Sequence, residues 1–141
     1  MKLTLDDYIS IFIHQTDLAL TSCVKDRLAP FNIAPEQNLI MMLLWEQDGL
    51  TQNELAEKLD KDKTNIARMV ANLEEKGFIR RVVNQHDRRS LEVYLTEKGT
   101  ELGSSVIPIA EEFHNLICNG ITDAELKELR RILTKMRANV T

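Results

Sequence analysis

Apolar positions along the chain recur at helical spacing almost everywhere, and one short segment breaks to a shorter period. In residues 5–28, Leu5, Ile9, Phe12, Ile13, Leu18, Leu20, Val24 and Leu28 form a broad stripe that predicts one helix, ended by Pro30. Pro35 suits the first position of a second helix, and the nearly continuous apolar run Ile40 to Trp45 predicts burial on most of its sides before Gly49 closes it. Leu55, Ala56 and Leu59 give a short third helix one apolar face. Thr51 and Glu54 have capping-box spacing, with Leu50 and Leu55 as its hydrophobic staple. A turn at Asp60-Lys61 leads to Asp62, a good N-cap for a fourth helix in which Ile66, Val70 and Leu73 fall on one stripe beside Met69. Gly77 then stands where a left-handed C-cap favours glycine. Ile79, Val83, Leu91, Val93 and Leu95 predict two strands with partial alternation around a polar tip, Asn84 to Ser90. Thr96 starts a long helix reaching about Cys118, with a kink expected at Pro108 and an end at Gly120. Thr122 and Glu125 repeat the capping box, with Ile121 and Leu126 as its staple. Leu126, Leu129, Ile132, Leu133 and Met136 make a last apolar stripe.

The predicted fold is therefore mainly α with a small β-hairpin. Helix, tight turn, helix and hairpin over residues 51–99 read as a winged helix-turn-helix, a module that reads DNA. On its second helix Lys63, Thr64, Asn65 and Arg68 point out from the first two turns. Arginine and asparagine can bond bidentately to guanine and adenine edges, while threonine and lysine suit phosphate or a thymine methyl. The hairpin tip carries Arg88 and Arg89, within reach of a DNA backbone or a minor groove.

The residues also carry a family resemblance. Leu55 to Leu59 (L-A-x-x-L), Asp62 to Arg68 (D-K-T-N-I-A-R), Leu73 to Arg81 (L-E-x-K-G-F-I-x-R), Asp87 to Ser90 (D-R-R-S) and Leu95 to Gly99 (L-T-E-K-G) together resemble the multiple-antibiotic-resistance regulator (MarR) family of bacterial transcription factors. Asn32-Ile33, Gln37 and Leu43-Leu44-Trp45 fit the family's second helix. The likeness is strong over about residues 31–99 and reaches the ends only through helix pattern. It implies one domain over residues 1–141, with a winged module at 35–99 and dimerisation helices at 1–34 and 100–141. It implies a homodimeric repressor on palindromic operator DNA, released by a small-molecule effector. It also implies that Asp87 braces Arg89 in the wing while either arginine meets DNA. One departure is Lys61, where members often carry a small apolar residue; its ammonium is expected to point outward and add a phosphate contact.

Charge sharpens this picture. The chain carries a formal −4, which by itself argues against a polyanionic partner. Residues 61–89, however, hold eight basic side chains (Lys61, Lys63, Arg68, Lys76, Arg80, Arg81, Arg88, Arg89) against four acidic ones, a net +4, leaving −8 for the remainder. Affinity for DNA should follow that local patch and fall steeply with salt. At 141 residues, 43% hydrophobic and 28% charged, the chain has the composition of one globular unit able to bury a core. No apolar run approaches the ~18 residues of a membrane span, and Asp6-Asp7 is unlike a basic signal-peptide start, so a cytoplasmic location is expected. The apolar stripes of the terminal helices exceed what a small winged module can cover. They call for a second copy, although a monomer closing all six helices on one core is the simpler alternative.

Other chemistries are weaker. Cys23 and Cys118 lack a disulfide-framework spacing, and a free cysteine is usually a small buried hydrophobe; Cys23 also misses the position near Ser10 where the family's peroxide-sensing branch carries its cysteine. His114 and Cys118 share a helix face but make only two zinc ligands, and the family's zinc-sensing Glu-His pair corresponds to Gln37-Asn38 here. His14 and Cys23 have no third orienting group, so no catalytic constellation, cofactor or metal is expected. Phe12, Phe31, Met41, Met42 and Trp45 are candidates for an effector pocket between the dimer helices and the winged module, with core packing as the alternative. A winged helix used for protein contact would need a less basic helix 62–76 and tip than this one.

Overall fold

The computed structural model describes residues 3–141. A 3₁₀ turn at Leu5–Asp7 precedes α1 (Ile9–Leu28), and a second at Ala29–Phe31 leads to α2 (Pro35–Glu46), α3 (Gln52–Leu59) and α4 (Lys63–Glu75). The hairpin of β1 (Ile79–Val83) and β2 (Leu91–Leu95) follows, then α5 (Glu97–Ile117) and α6 (Asp123–Val140). The helix expected from residue 5 thus begins later: Tyr8 is extended at φ −102° and ψ 107°, which separates the first apolar residues from α1. Pro108 lies inside α5 without ending it.

Local sequence accounts for most boundaries. Thr51 Oγ1 accepts from Glu54 N at 3.1 Å while Glu54 Oε1 accepts from Thr51 N at 3.1 Å, so the expected capping box is complete. Thr122 and Glu125 repeat it, at 3.1 and 2.8 Å. Asp62 caps α4 by accepting from Asn65 N at 2.7 Å. Asp60 closes α3 in the left-handed region at φ 53°, and Gly77 ends α4 at φ 87°.

Packing divides the chain into two units, Met1–Ile109 and Ala110–Thr141. In the first, Leu28, Ile40, Met41, Leu44, Leu55, Ile66, Val70, Leu73, Ile79, Val93 and Val106 are fully buried and form one core. The hairpin is antiparallel with Ile79 opposite Leu95 and Val83 opposite Leu91. A third stretch joins it, since Val93 N donates to Leu50 O at 2.8 Å and Gly49 N to Val93 O at 3.0 Å. The hairpin base is thereby fixed to the loop that precedes the helix-turn-helix. Helix α5 approaches closely: a Cβ on Gly99 would lie 2.0 Å from Phe78 O. In the second unit α6 is amphipathic, yet Leu129 and Ile132 remain exposed and Leu133 and Met136 half-buried.

Candidate nucleic-acid interface

Helix α4 begins at Lys63, and its buried stripe of Ile66, Met69, Val70 and Leu73 fixes which side chains face outward. Lys63, Thr64 and Arg68 are exposed and Asn65 half-buried. Arg68 Nη2 donates to Asn65 Oδ1 at 2.6 Å, so the two side chains expected to read bases form one unit on the helix surface. Arg68 keeps further N–H donors, and Asn65 keeps its amide N–H₂.

The rest of the basic segment is distributed differently from what charge counting suggests. Lys61 does not extend freely outward: its ammonium pairs with Glu36 at 2.9 Å and its side chain is only 20% exposed. The charge at this turn is spent on α2, which places it less favourably for phosphate than expected. Lys76 Nζ donates to Asn32 O at 2.8 Å and to Gln37 Oε1 at 2.9 Å. Gln37 Nε2 in turn donates to Asn72 Oδ1 at 2.7 Å, which ties the last turn of α4 to the start of α2. Arg81 is held by Glu74 through its backbone N–H at 2.8 Å and its guanidinium at 2.9 and 3.2 Å. Those bonds, the backbone one first, hold the Glu74 carboxyl below the usual range against the opposing effect of burial. Arg80 stacks over Tyr94, its guanidinium carbon 5.5 Å from the ring centre.

At the tip Arg88 and Arg89 are exposed. Asp87 meets Arg89 through the backbone: its Oδ1 accepts from Arg89 N at 3.0 Å. The larger organiser is Asn84, whose Oδ1 accepts from His86 N at 2.8 Å and Asp87 N at 3.1 Å. Sequence reading passed over Asn84, although asparagine at the first position of a polar tip is a recognised turn former. It also missed Gln37, Asn72 and Glu92, whose partners are remote in sequence.

The five candidates for an effector pocket separate. Met41 is wholly buried in the core, Phe31 packs against that core, and Phe12 and Met42 are exposed by 60% and 43%. Trp45 donates from Nε1 to Gly99 O at 3.0 Å and lies where a Cβ on Gly103 would meet it at 2.8 Å. Met41 and Trp45 thus both make packing contacts within the chain. Elsewhere, Cys118 Sγ lies 3.9 and 4.0 Å from the two ring nitrogens of His114. No group of three or more metal-ligating His, Cys, Asp or Glu side chains gathers among the described residues. None of the described helices is long and apolar enough to cross a membrane.

Known proteins share this arrangement. The MarR family model matches residues 33–91, from the loop before α2 to the first residue of β2. The organic hydroperoxide resistance transcriptional regulator of Bacillus subtilis is 30% identical over 105 residues, covering 74% of this chain and 71% of that protein. The S. aureus MepR–DNA complex superposes with a TM-score of 0.89 at 26% identity, covering 95% of this chain and 99% of that one. A MarR-family regulator from Listeria monocytogenes, solved with a 26mer DNA, superposes with a TM-score of 0.81 at 28% identity over 99% and 90% of the two chains. With the helix-turn-helix, the hairpin and its exposed arginine tip all in register, this chain belongs to the MarR family of transcriptional regulators.

Proposed function

We propose that the chain is a homodimeric repressor that binds palindromic double-stranded DNA through residues 35–99 and releases it when a small ligand binds. The observation that carries this reading is the selective exposure of cations. Lys63 and Arg68 on the first two turns of α4, and Arg88 and Arg89 at the tip, are exposed and pair with no carboxylate among the described residues, whereas Lys61 and Arg81 are paired with Glu36 and Glu74. Arg68 with Asn65 is placed to read base edges from a major groove, Lys63 and Thr64 to hold phosphate, and the tip arginines to reach a neighbouring groove. The DNA-bound relatives from S. aureus and Listeria support the same use of this surface.

Dimerisation through residues 1–34 and 100–141 is supported by apolar side chains that their own chain leaves in water. Ile9, Phe12 and Leu18 of α1 are 55–60% exposed, and Leu116, Ile121, Leu129 and Val140 are 43–83% exposed. Release by a small ligand follows the family resemblance, and it requires only a ligand that prefers the wrongly spaced dimer.

A gel shift on palindromic promoter DNA at two salt concentrations tests the reading. Four cations per protomer permit a slope of log affinity against log salt as steep as about −7 for the dimer. A flat dependence would exclude binding through these cations, and equal affinity for palindromic and random duplexes would exclude sequence-specific binding by this surface.

A further inference from the structure

Asn84 opens the wing tip and holds it from both sides. Its Oδ1 takes the two amides of His86 and Asp87, and its Nδ2 donates to Glu92 Oε1 at 2.9 Å across the hairpin. Its own backbone N–H donates to Ser90 O at 2.9 Å. The second oxygen of Glu92 accepts from Tyr94 Oη at 2.5 Å, a bond that raises the Tyr94 hydroxyl above its ordinary pKa. Tyr94 is itself confined: a Cβ on Gly49 would stand 2.9 Å from its ring, and Arg80 covers it at 5.5 Å. Arg80 pairs with Tyr94 and Val82 with Glu92 in the ladder, so these side chains lie on one face of the hairpin.

We infer that Asn84 and Glu92 are positioning residues for the wing, fixing the backbone that carries Arg88 and Arg89 before DNA arrives. This rests on the reading of those arginines as DNA contacts. A loop left loose would have to be ordered on binding, at the expense of affinity; the relay from Tyr94 through Glu92 to Asn84 orders it in advance. Glu92 makes the inference testable because its charge has the wrong sign. As a plain surface carboxylate near a polyanion it opposes binding, so its removal should tighten the complex. As a brace, its removal should loosen it.

The experiment measures operator affinity of the full-length dimer for Glu92→Ala, Glu92→Gln, Asn84→Ala and the double variant Arg88→Ala/Arg89→Ala. Glutamine retains a polar contact to both Asn84 and Tyr94, with the tyrosine hydroxyl turned to accept, and removes the charge. Glu92→Ala and Asn84→Ala should each weaken binding about tenfold, while Glu92→Gln stays within about twofold of the parent. Amide exchange at His86 and Asp87 should accelerate in Asn84→Ala with the melting temperature almost unchanged, which separates a loosened tip from a lost fold. Parent-like or tighter binding by Glu92→Ala, failure of glutamine to rescue, or unchanged exchange in Asn84→Ala would overturn the inference. If the double arginine variant alone binds normally, the reading of the wing as a DNA contact falls and the positioning role with it. If the arginine variant weakens while Asn84→Ala does not, only the positioning role falls.

Discussion

Arg68 donates to Asn65 at 2.6 Å, one helical turn apart on the exposed side of α4. The bond couples the two residues best suited to read bases. Asn65→Ala and Arg68→Ala should each weaken operator binding by about 1–3 kcal/mol and random-DNA binding less. Because Asn65 steers the guanidinium, the double variant should lose less than the two single losses combined, by about 0.5 kcal/mol or more. Arg68→Lys should not restore specificity, since an ammonium lacks the planar pair of donors. A double-mutant cycle on both DNAs checks this. Strictly additive losses would mean the bond does not shape recognition.

Two lysines near the same helix should behave oppositely. Lys63 is exposed at its start, and Lys63→Ala should flatten the salt slope by about one unit while weakening operator and random DNA alike. Lys76 spends its donors on Asn32 and Gln37, so Lys76→Ala should leave the slope nearly unchanged and instead reduce folding stability by about 1–2 kcal/mol. Salt titrations and urea unfolding of both variants distinguish phosphate contact from internal clamp.

The contrast shows what the sequence could and could not display. Helix starts at Thr51, Asp62 and Thr122, the glycine stop at Gly77 and the tip from Asn84 to Ser90 were legible because each is decided by neighbours within a few residues. The outward face of α4 followed from period alone. The ion pair of Lys61 was not legible because its partner Glu36 sits on another helix, and no local pattern announces it. The Gln37, Asn72 and Lys76 cluster was hidden for the same reason. Trp45 stood open between pocket and core because an indole at a half-buried position looks the same whether it meets a ligand or Gly99 O. Strand register, which puts Glu92 within reach of Asn84, needed the hairpin itself.

Glu74 should make part of the stability acid-sensitive. Its carboxyl is held low chiefly by the Arg81 backbone N–H and then by the guanidinium. A depressed folded pKa contributes stability above the unfolded value, near about 4.3 for glutamate, which is lost as pH falls through the lower folded value. The pair is about one-third exposed on each side, so Glu74→Gln should cost about 1 kcal/mol or less at pH 7. The gap between parent and variant in urea unfolding should narrow as pH falls below the usual glutamate range. A gap that persists undiminished at acid pH would point to packing instead of charge.

Gly99 should tolerate no side chain. A Cβ there would stand 2.0 Å from Phe78 O, and that atom is backbone fixed between α4 and β1. Gly99→Ala should therefore destabilise by about 2–4 kcal/mol, outweighing the better helix propensity of alanine. At Gly120 nothing lies within 4 Å, so only its φ of 78° resists substitution and Gly120→Ala should cost about 1 kcal/mol. Thermal melts of the two variants should keep that order.

The dimer can be tested at a residue whose own chain gives it little. Leu129 is 50% exposed on α6, so within one protomer Leu129→Asp exchanges a half-wet leucine for a half-wet carboxylate at modest cost. If a second copy covers this face, the same substitution buries an unpaired charge and should cost several kcal/mol of association. The expected outcome is a variant with parent-like helix content that elutes as a monomer and loses operator binding far more than a single half-site contact explains, because both half-sites, about 34 Å apart, must be engaged together. Sedimentation measures the assembly and circular dichroism the fold, so dissociation and unfolding are read separately. A Leu129→Asp protein that stays dimeric and binds its operator normally would place the two-fold interface away from α6.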